Sequence, residues 1–456
     1  MSGSVRVAVI GSGPSGLYAA DELSKHDAVS VDVVDRLPCP YGLLRYGVAP
    51  DHLKMKSLEI TLRKILERPH VRFLGGVELG AGISAGITVD ELREYYDAVV
   101  YATGSPVDRR LSIPGEDLPG CFSATQFVAW YCGHPDAEVD AFTLDARSAV
   151  VVGVGNVAVD VARILAKTAQ ELSVTDMPEH VLKVLDMSTV SDIHIVGRRG
   201  PAQAKFTTKE LRELGELANA DVVVDPGELV LDEAGKELVE TNKTVRRNLE
   251  TLQEWSTRPH RGRARRIHLR FLLAPVAVLG TAAVEAVQCE RNELDGSGGV
   301  AGTGEMVTLP AQLLLRSVGY RGLPLPGVPF DERSGVIPHV DGRVQRNGCT
   351  AAGEYVVGWI KRGPTGVIGT NKSDAKETIE RLLHDLDALP RAPHRQPEII
   401  IERLTRRGVG VVTWAGWEAI DTAEQELGVA AGRTRIKIAS REALLIAAGQ
   451  GKLYRT

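Results

Sequence analysis

Between Val7 and Leu23 the chain reads VAVIGSGPSGLYAADEL, which sets Gly11, Gly13 and Gly16 in GxGxxG order behind an apolar strand and ahead of a helical pattern. Each glycine has its own task. Gly11 permits a tight turn, Gly13 lets the backbone approach a pyrophosphate, and Gly16 lets helix pack on strand while the helix N-terminus faces the phosphates. The following strand, VSVDVVD, ends in Asp35, 19 residues after Gly16, where a carboxylate accepts a hydrogen bond from a ribose hydroxyl. A second unit, VVVGVGNVAVDVARIL, carries Gly153 and Gly155, with Ala158 in the third place, where the constraint is only helix packing. The strand that should read its ribose, IHIVGRRGP, ends in Arg198 and Arg199 instead of an acid. Two guanidiniums clamp a 2′-phosphate in a fork geometry that a carboxylate would repel. Arg198 lies 40 residues after Ala158, so a longer helix or an inserted segment must intervene. One unit thus suits an ADP-ribose without a 2′-phosphate and the other suits one with it, which points to FAD in the first and NADPH in the second. Flavin accepts hydride and releases electrons singly.

These turns need strands and helices to hold them. Val5 to Leu23, Ala149 to Leu165 and, more loosely, Tyr355 to Leu382 each run from apolar strand through glycines into helix. The expectation is an α/β protein with two Rossmann-like dinucleotide-binding domains. AVVYATGS (Ala98 to Ser105) and LLLRSVGY (Leu313 to Tyr320) mark the crossings between domains. The first domain is then discontinuous, 1–105 plus 331–456, and the second spans 106–330. The Pro- and Gly-rich stretches SIPGEDLPG and GLPLPGVPF are expected just inside the second domain as linker turns. From Glu398 onward the pattern is amphipathic helix, a short VGVVTW strand and a helix around Trp417 to Leu427, without a catalytic motif, and reads as structural packing.

The 456 residues correspond to about three domains of ~150 residues. With 43% hydrophobic and 25% charged residues, collagen, disordered chains and disulfide scaffolds are excluded. The five cysteines, Cys39, Cys121, Cys132, Cys289 and Cys349, form no CxxC pair, so neither a zinc ribbon nor a dithiol centre is indicated. No metal site is expected. Free thiols, an N-terminus without a leader pattern and the lack of a long apolar stretch give a cytoplasmic protein without membrane insertion as the expectation. A net charge of −5 argues against nucleic acid as the main partner.

The runs PYGLLRYGVAPDH (Pro40 to His52), IPGEDLPG, VGRRGPAQAKFTTKELREL (Val196 to Leu214) and YVVGWIKRGPTGVIGTN (Tyr355 to Asn371) resemble, in the same order, the adrenodoxin reductase family of ferredoxin-NADP reductases in its bacterial branch. The resemblance extends over nearly the whole chain. It implies the two-domain fold of the glutathione-reductase and adrenodoxin-reductase type, noncovalent FAD, NADPH as hydride donor and an iron-sulfur protein as acceptor. Ser15, Asp35, Leu43, Leu79, Arg109, Trp359 and the run Gly366, Val367, Ile368 match the family's FAD contacts. The family usually has Glu where this chain has Asp35. Trp359 follows Gly358 where many two-domain flavoenzymes have Gly-Asp, so a ring edge and backbone replace a carboxylate. For NADPH the resemblance marks Asn156, Val157, Arg198, Arg199 and Glu210, and it pairs an acid at Glu213 with His52 near the flavin. That pair would position the nicotinamide or exchange protons with solvent.

GPTGVIGTNKSDAKETIERLL reads as a glycine turn opening a helix, with the N–H groups of Val367 and Ile368 at its N-terminus stabilising negative charge on a reduced flavin. Gly366 lacks the side chain that would block a stacking nicotinamide. The run RPHRGRARRIHLR holds six arginines from Arg258 to Arg270, preceded by Lys243, Arg246 and Arg247. Together they form an expected docking patch for an acidic ferredoxin on a monomeric enzyme. The leading reading is an NADPH:ferredoxin oxidoreductase. A flavin-dependent NADPH oxidase or monooxygenase, or a non-catalytic dinucleotide-binding redox sensor, stand as alternatives. Missing CxxC disfavours a dithiol flavoreductase.

Overall fold

Val5–Ile10 is VRVAVI, buried at every position, as a central strand covered on both faces must be. The computed structural model describes residues 5–80, 86–366 and 368–450. The chain divides into two units, one of Met1–Val107, Cys132–Asp136 and Tyr320–Thr456, the other of Asp108–Tyr131 and Ala137–Gly319.

In the first unit Val5–Ile10 pairs in parallel with Val29–Asp35 and with Ala98–Tyr101. Val71–Gly75 extends the sheet beyond Val29–Asp35, and Cys349–Val356 extends it beyond Ala98–Tyr101. Two short antiparallel strands, Arg343–Arg346 and His339–Val340, complete seven. The helix Pro14–Leu23 lies on one face with Thr370–His384, where Leu17, Leu23, Ala375 and Ile379 share a core. The opposite face is covered by Leu92, Ile337, Ile400 and Leu404. GLPLPGVPF belongs here and not in the second unit: Leu325, Val328 and Phe330 pack into this core, so the return to the first unit comes at Tyr320.

The C-terminal segment is part of the same core. Its helix Trp414–Ala430 places Trp417 and Ile420 in the interior. The carboxylate of Glu424, fully buried, accepts from the Arg45 guanidinium at 2.5 Å, from Arg435 at 3.0 Å and from the Ile438 N–H at 2.9 Å. The expected VGVVTW strand reduces to one antiparallel bridge, Gly75 with Val412, because Thr413 already caps the helix.

The second unit holds a six-stranded parallel sheet, in the order Ala220–Val224, Arg265–Arg270, Asp192–Val196, Ser148–Val152, Leu313–Arg316, Cys121–Ser123. An antiparallel three-stranded sheet, Leu273–Leu279, Ala286–Leu294 and Val300–Pro310, adjoins it in sequence. The insertion that the Arg198 spacing demanded consists of two helices, Ala169–Leu172 and Glu179–Asp186, between Asn156–Ala166 and the strand Asp192–Val196. No helix among the described residues is long and apolar enough to cross a membrane. All five cysteines are free thiols.

Candidate functional site: two glycine turns

At the first turn the three glycines answer to different forces. Gly11 has φ +113°, and a Cβ there would come within 2.5 Å of the Ala102 carbonyl oxygen. A Cβ on Gly16 would fall 1.9 Å from the Gly11 oxygen, so helix and turn meet backbone to backbone. Gly13 is different: φ is −69°, and the nearest heavy atom to a Cβ is 3.9 Å away. The fold does not require glycine at 13, which leaves a ligand's approach as the reason for it. The helix that follows has no side-chain cap and no acid in its first turn, so its free N–H groups and positive end remain available to an anion. Asp35 stands beside this turn. Its Oδ2 accepts from the Ser12 N–H at 2.7 Å and the Ser12 hydroxyl at 2.6 Å, and its Oδ1 from the Leu37 N–H at 2.9 Å. Oδ1, which accepts one hydrogen bond, keeps lone-pair capacity for a ribose hydroxyl. Sequence reasoning missed Ser12, whose only signal was its place inside the GxGxxG run.

The second turn repeats the logic. Gly153, at φ +135°, would bring a Cβ to 2.1 Å from the Ser317 carbonyl oxygen, whereas Gly155, at φ −119°, has nothing within 4 Å of that position. Asn156–Ala166 likewise starts without a side-chain cap or an early acid. Arg198 and Arg199 leave the end of Asp192–Val196, the strand paired with Ser148–Val152 that feeds the turn. Arg198 is exposed and Arg199 half-buried, and among the described residues neither guanidinium has an acidic partner. The same strand carries His194, stacked on His268 at 4.4 Å between ring centroids; burial first, then the neighbouring imidazole, pushes His194 down to about 4.

Asn156 reaches a second element. Its Oδ1 accepts from the N–H of Thr207, the cap of Thr208–Gly215, at 2.8 Å. This helix, which carries Glu210 and Glu213, packs against Asn156–Ala166. Glu213 is ion-paired with Arg163 at 3.4 Å and with Lys209 at 3.3 Å, and Arg163 pairs with Asp160 at 2.7 Å. Arg163, almost fully buried, is a residue that no motif signalled. Val157 occupies the first turn of Asn156–Ala166.

In the first unit, Gly358 turns at φ +79° against Ser15: a Cβ there would lie 2.3 Å from the Ser15 hydroxyl. Trp359 is held by stacking on Tyr320 at 5.5 Å and by donating its indole N–H to the Thr365 oxygen at 3.2 Å. Asp374, also missed from sequence, accepts from the Gly358 N–H at 2.5 Å and pairs with Lys361 at 2.9 Å, tying this turn to Thr370–His384. That helix opens at Thr370, later than expected, so Ile368 lies in the preceding turn and its N–H is not a helix-end donor. Val367 lies outside the described residues. Gly366 also has a reason of its own, a φ of +81° and a Cβ position 2.7 Å from the Thr370 hydroxyl. Leu43 opens a short helix and stays 42% exposed, large for an apolar side chain beside a glycine turn. Leu79 is buried in the pair Glu78–Leu79 with Gly86–Ile87, and His52 is buried at the start of Leu53–Lys56. Arg109 is exposed in the second unit, its N–H on the Gly319 oxygen at 2.9 Å.

The arginine run departs from its expected role. Arg265 is buried and donates to the Leu165 and Lys167 carbonyls at 2.6 and 2.8 Å. Arg266 pairs with Asp192 at 2.8 Å, Arg270 with Glu228 at 2.7 Å, and Arg263 donates to the Ala220 carbonyl at 2.9 Å. Three of these arginines lie on the strand Arg265–Arg270 and Arg263 just before it, and all four guanidiniums are engaged by acceptors of their own unit. Among the described residues, Arg258 and Arg261 alone of the six lack such a partner. Lys243, Arg246 and Arg247 are exposed at the start of Lys243–Thr257, with Arg246 also closing the preceding helix through the Val239 carbonyl at 3.0 Å.

Residues 5–194 match the family described as pyridine nucleotide-disulphide oxidoreductase. The NADPH-ferredoxin reductase FprA of Mycobacterium tuberculosis is 46% identical over 96% of this chain and 98% of its own length. The mitochondrial NADPH:adrenodoxin oxidoreductase of Homo sapiens is 39% identical over 96% of this chain and 91% of its own. The solved structure of Mycobacterium tuberculosis FprA in complex with NADPH superposes with a TM-score of 0.89 at 44% identity, covering 98% of this chain and 99% of that one. Two glycine turns whose middle glycines the fold does not need, the second followed by arginines, and relatives matched end to end lead to one assignment: the chain belongs to the NADPH-ferredoxin reductases of the adrenodoxin reductase family.

Proposed function

We propose that this protein passes reducing equivalents from NADPH, by way of a noncovalently held FAD, to an iron-sulfur protein of the ferredoxin type. The observation that carries this reading is the contrast between the two turns. Both leave a glycine open to a diphosphate, but the first ends its ribose strand in Asp35 and the second in two guanidiniums that have no acidic partner among the described residues.

The residues fit the groups. Gly13 and the open end of Pro14–Leu23 would hold the FAD pyrophosphate, and Asp35, oriented by Ser12, a ribose hydroxyl. Ser15, Leu43, Leu79, Arg109, Trp359 and the Gly366–Ile368 turn would enclose the rest. Gly153, Gly155, Asn156 and Val157 would hold the NADPH pyrophosphate, with Arg198 and Arg199 on the 2′-phosphate and Glu210 on a hydroxyl of the nucleotide. The chemistry a bound flavin supplies is acceptance of a hydride and release of electrons one at a time. His52 and Glu213 would position the nicotinamide or exchange protons with solvent; hydride transfer itself needs no general base.

The partner's acidic face would meet Lys243, Arg246 and Arg247, with Arg258 and Arg261 beyond the far end of the same helix, about 21 Å along. Such a surface acts mainly on association rate, so ferredoxin reduction should slow as salt rises.

Anaerobic titration with NADPH and, separately, NADH tests the reading. The flavin should bleach at far lower NADPH concentration, and Arg198→Ala or Arg199→Ala should each erode that preference by about ten- to hundredfold, the loss of a charge-assisted contact. Equal response of the unaltered protein to both nucleotides would refute the assignment of the arginines.

A further inference from the structure

The segment after the two arginines does not leave the nucleotide turn. Gly200 to Gln203 forms a tight turn, and the chain then runs back along Gly153–Asn156: the Lys205 N–H donates to the Val154 carbonyl at 2.8 Å, and the Thr207 N–H to the Asn156 side chain at 2.8 Å. Phe206, between them, is buried, and its carbonyl accepts from Asn248 at 3.0 Å, so the segment is anchored from below. Lys205 is exposed, and among the described residues its ammonium has no acidic partner, in contrast to Lys209, which pairs with Glu213 at 3.3 Å. Its backbone is hydrogen-bonded to the residue between Gly153 and Gly155, and Gly155 is the position with open space in front of it.

We infer that Lys205 is an additional cation of the dinucleotide site, directed at the pyrophosphate and distinct from the 2′-phosphate clamp of Arg198 and Arg199. The inference rests on the reading of the second turn as the NADPH site. A compact ammonium on a flexible stem suits a diphosphate that presents oxygens in several directions, whereas planar forks suit the terminal phosphate. Such a residue raises affinity for any nicotinamide dinucleotide and contributes nothing to the choice between NADPH and NADH.

Two probes separate the roles in the FAD-loaded protein. ADP-ribose carries the pyrophosphate without the 2′-phosphate, and 2′-AMP the reverse. Lys205→Met should weaken ADP-ribose and NADPH alike, by about five- to tenfold as for a partly exposed charged contact, and leave 2′-AMP, flavin content and thermal midpoint unchanged. Lys205→Arg should restore most of the loss. Arg198→Ala should show the opposite pattern. Unchanged ADP-ribose binding in Lys205→Met overturns the proposal, as does a loss of 2′-AMP binding equal to that of ADP-ribose, which would put Lys205 in the arginine clamp. If the unaltered protein bound none of the three, the reading of the turn itself would fall, and this inference with it.

Discussion

Replacing Gly155 with alanine separates what the second turn does for the fold from what it does for a ligand. The new methyl group sits on extended backbone at φ −119° and ψ 178°, with no heavy atom within 4 Å of it. Removing glycine from a compatible position gains ~0.4–1 kcal/mol through the unfolded state, and the poorer N-cap gives back a similar amount. Stability should therefore stay within about 0.5 kcal/mol, a shift of only ~1–2 °C in thermal midpoint. A pyrophosphate seated on the turn loses its close approach to the backbone. Forfeiting even one charge-assisted hydrogen bond costs ~1.5–3 kcal/mol, at least a tenfold loss of NADPH affinity. Gly153→Ala is the counterpart: at φ +135° and 2.1 Å from the Ser317 oxygen, it should unfold several degrees earlier, from backbone strain of ~1–3 kcal/mol alone. Calorimetry and anaerobic NADPH titration of both variants give the answer. A Gly155→Ala protein that bleaches at the unaltered NADPH concentration, or that unfolds as early as Gly153→Ala, would refute the argument that this glycine exists for a ligand.

Ser12→Ala removes the 2.6 Å hydroxyl contact that helps hold the Asp35 carboxylate but keeps the backbone one at 2.7 Å, so flavin should dissociate several-fold more readily on dilution, a drop in flavin-to-protein ratio that an unchanged ratio would contradict. Glu424→Ala strips the counter-charge from buried Arg45 and should cost about 3–5 kcal/mol in chemical unfolding, and a cost under about 1 kcal/mol would show that Arg45 finds another acceptor. His194, facing His268, Arg270, Asp192 and Arg266, is held near 4 when folded and takes its proton near the ordinary 6.5 when unfolded. Its contribution is therefore complete above about pH 6.5 and is lost as pH falls toward about 4, so His194→Gln should flatten that part of the stability profile measured in urea.

Where a feature depends on a few consecutive residues, the sequence already determined it. Gly11, Gly13 and Gly16, the apolar strands before and after them, Asp35, and the arginines after IHIVG are local patterns with periods and offsets that belong to one architecture, and both dinucleotide turns were legible from them. The structure then sorted the glycines into those that backbone approach demands and those it does not, since only neighbouring chain, Ala102 or Ser317, reveals the crowding. Sequence position could not say which arginines of Arg258 to Arg270 were already engaged, because their acceptors, Glu228, Asp192 and the Leu165 carbonyl, come from elsewhere in the unit. Nor could it show that Ser12 aims Asp35, that Asp374 fastens the Gly358 turn, or that the C-terminal helix closes the first core through Glu424. A single string of residues fixes spacing along the chain; hydrogen-bond partners and counter-charges are chosen by what folding brings across long separations, 379 residues in the case of Arg45 and Glu424.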